Sequence, residues 1–233
     1  MSIKGVLFDK DGVLVDFDAT WCPAAVKVIE ALAAGDDEKG KALADAADFD
    51  LSAQRFEKNA IFIAGTATDL VDAWAPILPD MPKYALASHS RALFTKFGAE
   101  HVTSYDDVAD TLTALGEARI AMGIATNDEE ISARTQMRAL RLDGRFSFVS
   151  GADTGHGAKP EPGMLLAFAE HIGAEPGEIV MVGDSTHDMR AAKAAGMIRV
   201  AVGTGPASLE DLEPFADHCL PRLGGLPTLV SSL

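Results

Sequence analysis

Short apolar runs that each stop at a polar residue, with helical patterns between them, constrain this chain more than any other feature. Residues 3–8 are rich in β-branched and large side chains and run into Asp9-Lys10-Asp11-Gly12. Residues 120–125 run into Thr126-Asn127, and residues 179–182 into Gly183-Asp184. Runs this short, apolar throughout and closed by turn residues, read as buried strands. Residues 146–149, 198–202 and 218–220 are further strands on the same grounds. Strands alternating with helices fold as a parallel α/β sheet, not as a sandwich or a helical bundle.

Helix boundaries are marked between them. Ser104-x-x-Asp107 reads as a capping box ahead of Val108, Leu112 and Leu115, with Gly116 placed to end that helix. Ala133, Met137 and Leu140 form a buried stripe, with Arg134, Arg138 and Arg141 toward solvent. Pro160 or Pro162 can start a helix, Gly196 can close the one over residues 189–195, and Ser208-x-x-Asp211 signals a short one. Residues 17–100 have a different texture. Trp21, Ala25, Ile29 and Leu32, and again Leu70, Trp74 and Leu78, fall at helical spacing, which makes the tryptophans core residues and not an aromatic binding box. Gly35-Asp36-Asp37 and Pro76, Pro79 and Pro82 punctuate this region before a helix over about residues 84–97, giving four or so helices.

Asp9 and Asp11 emerge at the carboxyl end of the first strand, the edge of an open α/β sheet where ligands bind. An isolated Asp-x-Asp could equally bond local amides. A calcium loop is excluded, since a loop starting at Asp9 puts Thr20 where a bidentate Glu is required. Gly155-x-Gly157 meets Pro160, and Gly203-x-Gly205 meets Ser208, where a dinucleotide fingerprint needs a third glycine. No Gly-Lys-Ser or Gly-Lys-Thr occurs, and the six histidines lack zinc spacing. His156 and His187 flank the motifs, either in a neutral structural or solvent-facing role or in catalysis, and their neighbours outrank them as candidates.

Taken in order, Asp9-x-Asp11-Gly12, Thr126-Asn127, Lys159 and Gly183-Asp184-x-x-x-Asp188 resemble the four motifs of the haloacid dehalogenase superfamily of phosphohydrolases, phosphoglycolate-phosphatase-like subgroup. Lys10 stands where that subgroup usually has Leu, and residues 103–107 stand where a Pro-Gly segment commonly leads back to the core. The resemblance implies a Rossmann-like parallel-sheet core from residues 1–16 and 101–233, with residues 17–100 as an inserted α-helical cap. It implies Asp9 as nucleophile and Asp11 as general acid and base. Thr126, Asn127 and Lys159 would bind phosphate oxygens. Mg²⁺ would be held by the side chains of Asp9 and Asp184 and the backbone carbonyl of Asp11, with Asp188 behind them on a metal-bound water or on Lys159. The implied activity is hydrolysis of small phosphate monoesters, 2-phosphoglycolate among them. A sugar phosphomutase using the same aspartyl-phosphate and a noncatalytic binding protein on the same fold are the alternatives.

Charge bears on the partners. Lys and Arg total 20 against 35 Asp and Glu, a net −15, which disfavours nucleic acid and anionic membrane and leaves a small phosphorylated metabolite as the expected partner. An anionic ester then needs local cations, for which Arg55 and Lys58 are candidates if it carries a carboxylate. Cys22 and Cys219 have neither metal-ligand nor disulfide-framework spacing and read as reduced thiols. With no signal-like segment and no apolar run near the ~18 to 20 residues of a membrane span, a cytoplasmic location is expected.

Overall fold

The computed structural model describes residues 2–57, 60–64 and 67–233. Its strands are β1 (Gly5–Phe8), β2 (Phe49–Asp50), β3 (Arg55–Phe56), β4 (Ala121–Ala125), β5 (Phe148–Ser150), β6 (Ile179–Gly183), β7 (Ile198–Val202) and β8 (His218–Leu220). Six of them form one sheet in the order β5-β4-β1-β6-β7-β8, every neighbouring pair parallel. From β1 the chain builds β4 and β5 on one side and then β6, β7 and β8 on the other, so the strand order reverses beside β1. That reversal opens the crevice in which α/β sheets bind ligands. By contact the chain divides into two units, one of Met1–Phe17 with Thr103–Leu233 and one of Asp18–Val102.

The sheet belongs to the first unit. Successive strand residues point to opposite faces. On one face Leu7 and Met181 pack with Met164, Leu165 and Phe168 of the helix Gly163–Ile172 and with Ala191 and Ala192 of the helix Thr186–Ala195. Val6, Phe8, Val180, Val182 and Ile124 alternate with them and are also fully buried. Burial on both faces is why these strands read as continuous apolar runs. Gly123 lets the Phe168 ring lie directly on the strand backbone, since a Cβ there would come within 2.8 Å of that ring. Phe168→Ala should therefore cost about 3–5 kcal/mol, read as a lowered urea midpoint. A loss below about 1 kcal/mol would contradict this packing.

Most helix boundaries follow the sequence signals. Gly196 adopts φ 77° to close the helix Thr186–Ala195, and the Ser208 side chain accepts from Asp211 N to start Leu209–Leu212. Ala133 and Met137 are buried, while Leu140 is half-buried. The expected capping box at Ser104 does not form. The helix Val108–Glu117 has no side-chain cap, because Asp107 Oδ2 accepts from Gly224 N at 2.7 Å and Ser104 bridges to Val15. A distant amide and a bridge partner outcompete the local cap. Among the described residues no helix is long and apolar enough to cross a membrane.

The second unit carries the helix Phe17–Ala33 from Asp18 on, then Asp37–Ala46, Ile61–Ala64, Ala67–Trp74 and Lys83–Glu100. Asp36 caps the second of these by accepting from Lys39 N. Ile29, Leu32, Leu43, Leu70, Trp74 and Leu86 share one core, so the helical stripes are indeed core. Trp74 Nε1 donates to Leu43 O at 2.9 Å, which satisfies the buried indole. The antiparallel β2–β3 pair was not anticipated, because two-residue strands are too short to show a period. Arg55 sits exposed on β3, in the stretch between the helices Asp37–Ala46 and Ile61–Ala64, and Lys58 lies outside the described residues.

Candidate active site

Strand register assembles the motifs. Phe8 pairs with Ile124 on one side and Val182 on the other, so Asp9, Thr126 and Asp184 follow their strands onto the same sheet edge. Asp9 N donates to Val182 O at 2.9 Å, which fixes the first turn out of β1. Gly12, at φ 75°, then reverses the chain, and Val15 N and Leu14 N return to Lys10 O at 2.9 Å. A side chain at Gly12 or Gly205 would overlap the Asp184 carboxylate, so both glycines leave that group its space. Thr204 Oγ1 donates to Gly12 O at 2.6 Å and accordingly ties the two segments together.

Lys159 lies at the centre. Its Nζ is 2.7 Å from Asp9 Oδ1 and 2.7 Å from Asp188 Oδ1, with almost no exposure of the lysine side chain. Lys10 N donates to the same Asp9 Oδ1 at 2.7 Å, so these contacts gather on one oxygen of the Asp9 carboxylate. Asp188 Oδ2 accepts from Ser185 N and Ser185 Oγ at 3.1 and 2.6 Å, which holds it at the start of its helix. Asn127 has a role the sequence did not announce: its Nδ2 donates to Lys159 O at 2.9 Å, and its Oδ1 accepts from Lys159 N at 2.8 Å. The amide thereby fixes the lysine backbone. Thr126 Oγ1 accepts from Asp128 N at 3.1 Å. His156 and His187 are exposed.

The electrostatics are those of crowded acids in a poorly hydrated site. Burial pushes Asp9 up to about 7, with Lys159 opposing and Asp188 and Asp11 adding to the rise. Burial likewise raises Asp184 well above the usual carboxylate range, reinforced by Asp9 and Asp188. For Lys159 burial opposes the charge, but Asp188 and Asp9 outweigh it and hold the ammonium above the ordinary lysine range. One ammonium thus serves several acids.

One oxygen from each of Asp9, Asp184 and Asp188 lies within 4.8 Å of the others. Such an oxygen-only set of carboxylates, short of positive charge and walled by glycines, fits a hard divalent cation. The side chain of Asp11 stands apart from this set, with its Oδ2 2.7 Å from Lys10 Nζ. Lys10 is itself wholly buried, and it also reaches Asp128 Oδ2 at 3.1 Å and Gln136 Oε1 at 2.6 Å. Asp128 and Gln136 were missed from sequence. The one available signal was a lysine directly after an apolar strand, a place where an uncompensated charge cannot sit.

A parallel α/β sheet with acids and a lysine at the carboxyl end of its reversal point defines a class of hydrolases. The chain belongs to the haloacid dehalogenase-like hydrolase family, whose model matches residues 3–196. It is 31% identical over 214 residues to a phosphoglycolate phosphatase of Salmonella typhi, covering 88% of this chain and 82% of that one. It is 32% identical over 211 residues to that of Escherichia coli strain K12, with 87% and 82% covered. Within the family it is therefore a phosphatase. The fold superposes on CbbY from Rhodobacter sphaeroides in complex with phosphate with TM-score 0.70, at 19% identity over 96% of both chains.

Proposed function

We propose that this protein is a Mg²⁺-dependent phosphatase that hydrolyses small phosphate monoesters through an aspartyl-phosphate on Asp9, with 2-phosphoglycolate as its substrate. The unit of Met1–Phe17 and Thr103–Leu233 is the catalytic core in this reading, and Asp18–Val102 the inserted cap. The observation that carries it is the Asp9 carboxylate, held through Oδ1 by Lys159 beside two further buried acids. The substrate is suggested by the phosphoglycolate phosphatases among its relatives.

Asp9 Oδ2 forms the bond to phosphorus as the ester oxygen departs in line. Asp11 gives that oxygen its proton. In the second step Asp11 takes a proton from water, the water oxygen bonds to phosphorus, and the bond to Asp9 breaks to release inorganic phosphate. Thr126 and Lys159 bind the equatorial oxygens, and Asn127 sets the lysine in place for this. Asp9, Asp184 and the Asp11 carbonyl hold Mg²⁺, with Asp188 supporting the site through Lys159. When bound, the metal lowers the repulsion between a carboxylate and a phosphate dianion.

A panel of small phosphorylated metabolites, assayed with Mg²⁺ and with chelator, tests the reading. Inorganic phosphate should be released, most efficiently from 2-phosphoglycolate, and only with metal. Full activity in chelator, or conversion of a sugar phosphate into its isomer without release of phosphate, would sink it. Asp184→Ala should abolish the rise in melting temperature that Mg²⁺ gives the wild type, because it deletes a direct ligand. An undiminished rise would remove Asp184 from the metal site.

A further inference from the structure

Among the described residues, Lys10 is the buried ion whose purpose the chemistry above leaves unassigned. Its side chain is fully buried, where an apolar residue of similar length would sit without desolvating a charge. Instead, its ammonium meets oxygens from three segments: Asp11 Oδ2 at 2.7 Å, Asp128 Oδ2 at 3.1 Å and Gln136 Oε1 at 2.6 Å. Asp128 is itself secured, its Oδ2 accepting from Ser132 Oγ at 2.7 Å and its Oδ1 from Glu129 N at 2.7 Å. Ser132 and Gln136 stand one helical turn apart on the helix Glu130–Ala139, so both face the same way. The ammonium is thus anchored from the β4 side of the sheet, independently of Asp11. Asp11 sits on the turn that leaves β1 and is half-buried.

We propose that Lys10 is a positioning residue for Asp11: anchored by Asp128 and Gln136, it fixes the carboxylate through Oδ2 so that Oδ1 serves the leaving group. The inference rests on the reading of Asp11 as the proton donor and acceptor. Orientation matters because proton transfer contributes only when donor and acceptor lie within hydrogen-bond reach.

The test compares kcat/KM, which spans the steps through departure of the leaving group, for two esters. p-Nitrophenolate leaves without a proton, whereas an alkoxide needs one. Lys10→Met should lower kcat/KM about 100-fold for the best alkyl phosphate of the metabolite panel, within the range that positioned acid catalysis supplies, and only a few-fold for p-nitrophenyl phosphate. Gln136→Met, which keeps the side-chain volume and loosens one anchor, should shift the same ratio in the same direction by a smaller factor. Asp11→Asn is the reference and should show the same selective loss. Equal losses on both esters in Lys10→Met, with Asp11→Asn selective, would overturn the role of Lys10 and leave that of Asp11 standing. An unselective Asp11→Asn would overturn both. Should Lys10→Met fail to give the folded circular dichroism spectrum, a wild-type ester ratio in Gln136→Met overturns the proposal by itself.

Discussion

Asp9→Asn should abolish turnover and at the same time make the metal-free protein more stable at pH 8. With Asp9 as the proposed nucleophile, turnover should be lost because the amide cannot attack phosphorus, a fall of at least about 10⁴-fold on the scale of removed nucleophiles. The gain in stability follows from the crowding of acids. The folded protein holds the Asp9 proton up to about pH 7, against an ordinary carboxyl value of 3.8. Between those values the folded state binds more protons than the unfolded chain, so this contribution is intact below that window and lost as pH rises through it. Asparagine, always neutral, does not lose it. Lys159 keeps Asp188 as a partner in the variant. Thermal melts in chelator at pH 5 and pH 8 should therefore show a smaller decline for Asp9→Asn than for the wild type. Equal declines would mean that Asp9 does not titrate as described, and near-normal turnover by the purified variant would move the nucleophile elsewhere.

Lys159→Met should cost the site both stability and activity. Methionine matches the lysine in length but leaves Asp9 and Asp188, with Asp184 beside them, without their ammonium. Removing one partner of a buried ion pair costs about 3–5 kcal/mol, because the other partner is left as an uncompensated charge. Activity should fall by about 10²- to 10³-fold or more, the range lost with one preorganised donor to a developing anion. Divalent metal should recover part of the stability but little of the activity, since it restores charge balance without the ammonium proposed to bind a phosphate oxygen. Lys159→Arg should not substitute, because a planar guanidinium cannot take the place of a compact ammonium in a closed site. A variant with wild-type melting temperature and turnover would exclude Lys159 from both roles.

Much of this was legible along the chain. Apolar runs ending in Asp9, Thr126 and Gly183-Asp184 are local signals, because a strand buried on both faces must be apolar along its length and must stop where polar groups begin. Gly196 and Ser208 mark helix ends by conformations and bonds reaching only a few residues. What lay beyond the sequence is the choice among distant partners. Asp107 gave up its helix for an amide 117 residues away, and Asn127 spends its side chain on the backbone of Lys159, 32 residues on. Asp188 joined Asp9 and Asp184 as a possible metal ligand, while the Asp11 side chain turned to Lys10. Lys10 itself looked like an exchange for leucine until Gln136, 126 residues later, appeared beside it. Propensity, periodicity and capping act within a turn or two of chain, so the sequence alone determined the six strands of the parallel sheet, their succession along the chain and the residues delivered to their ends. The pairing of each charge depends on which segments the parallel register brings together, and only the tertiary structure decided that.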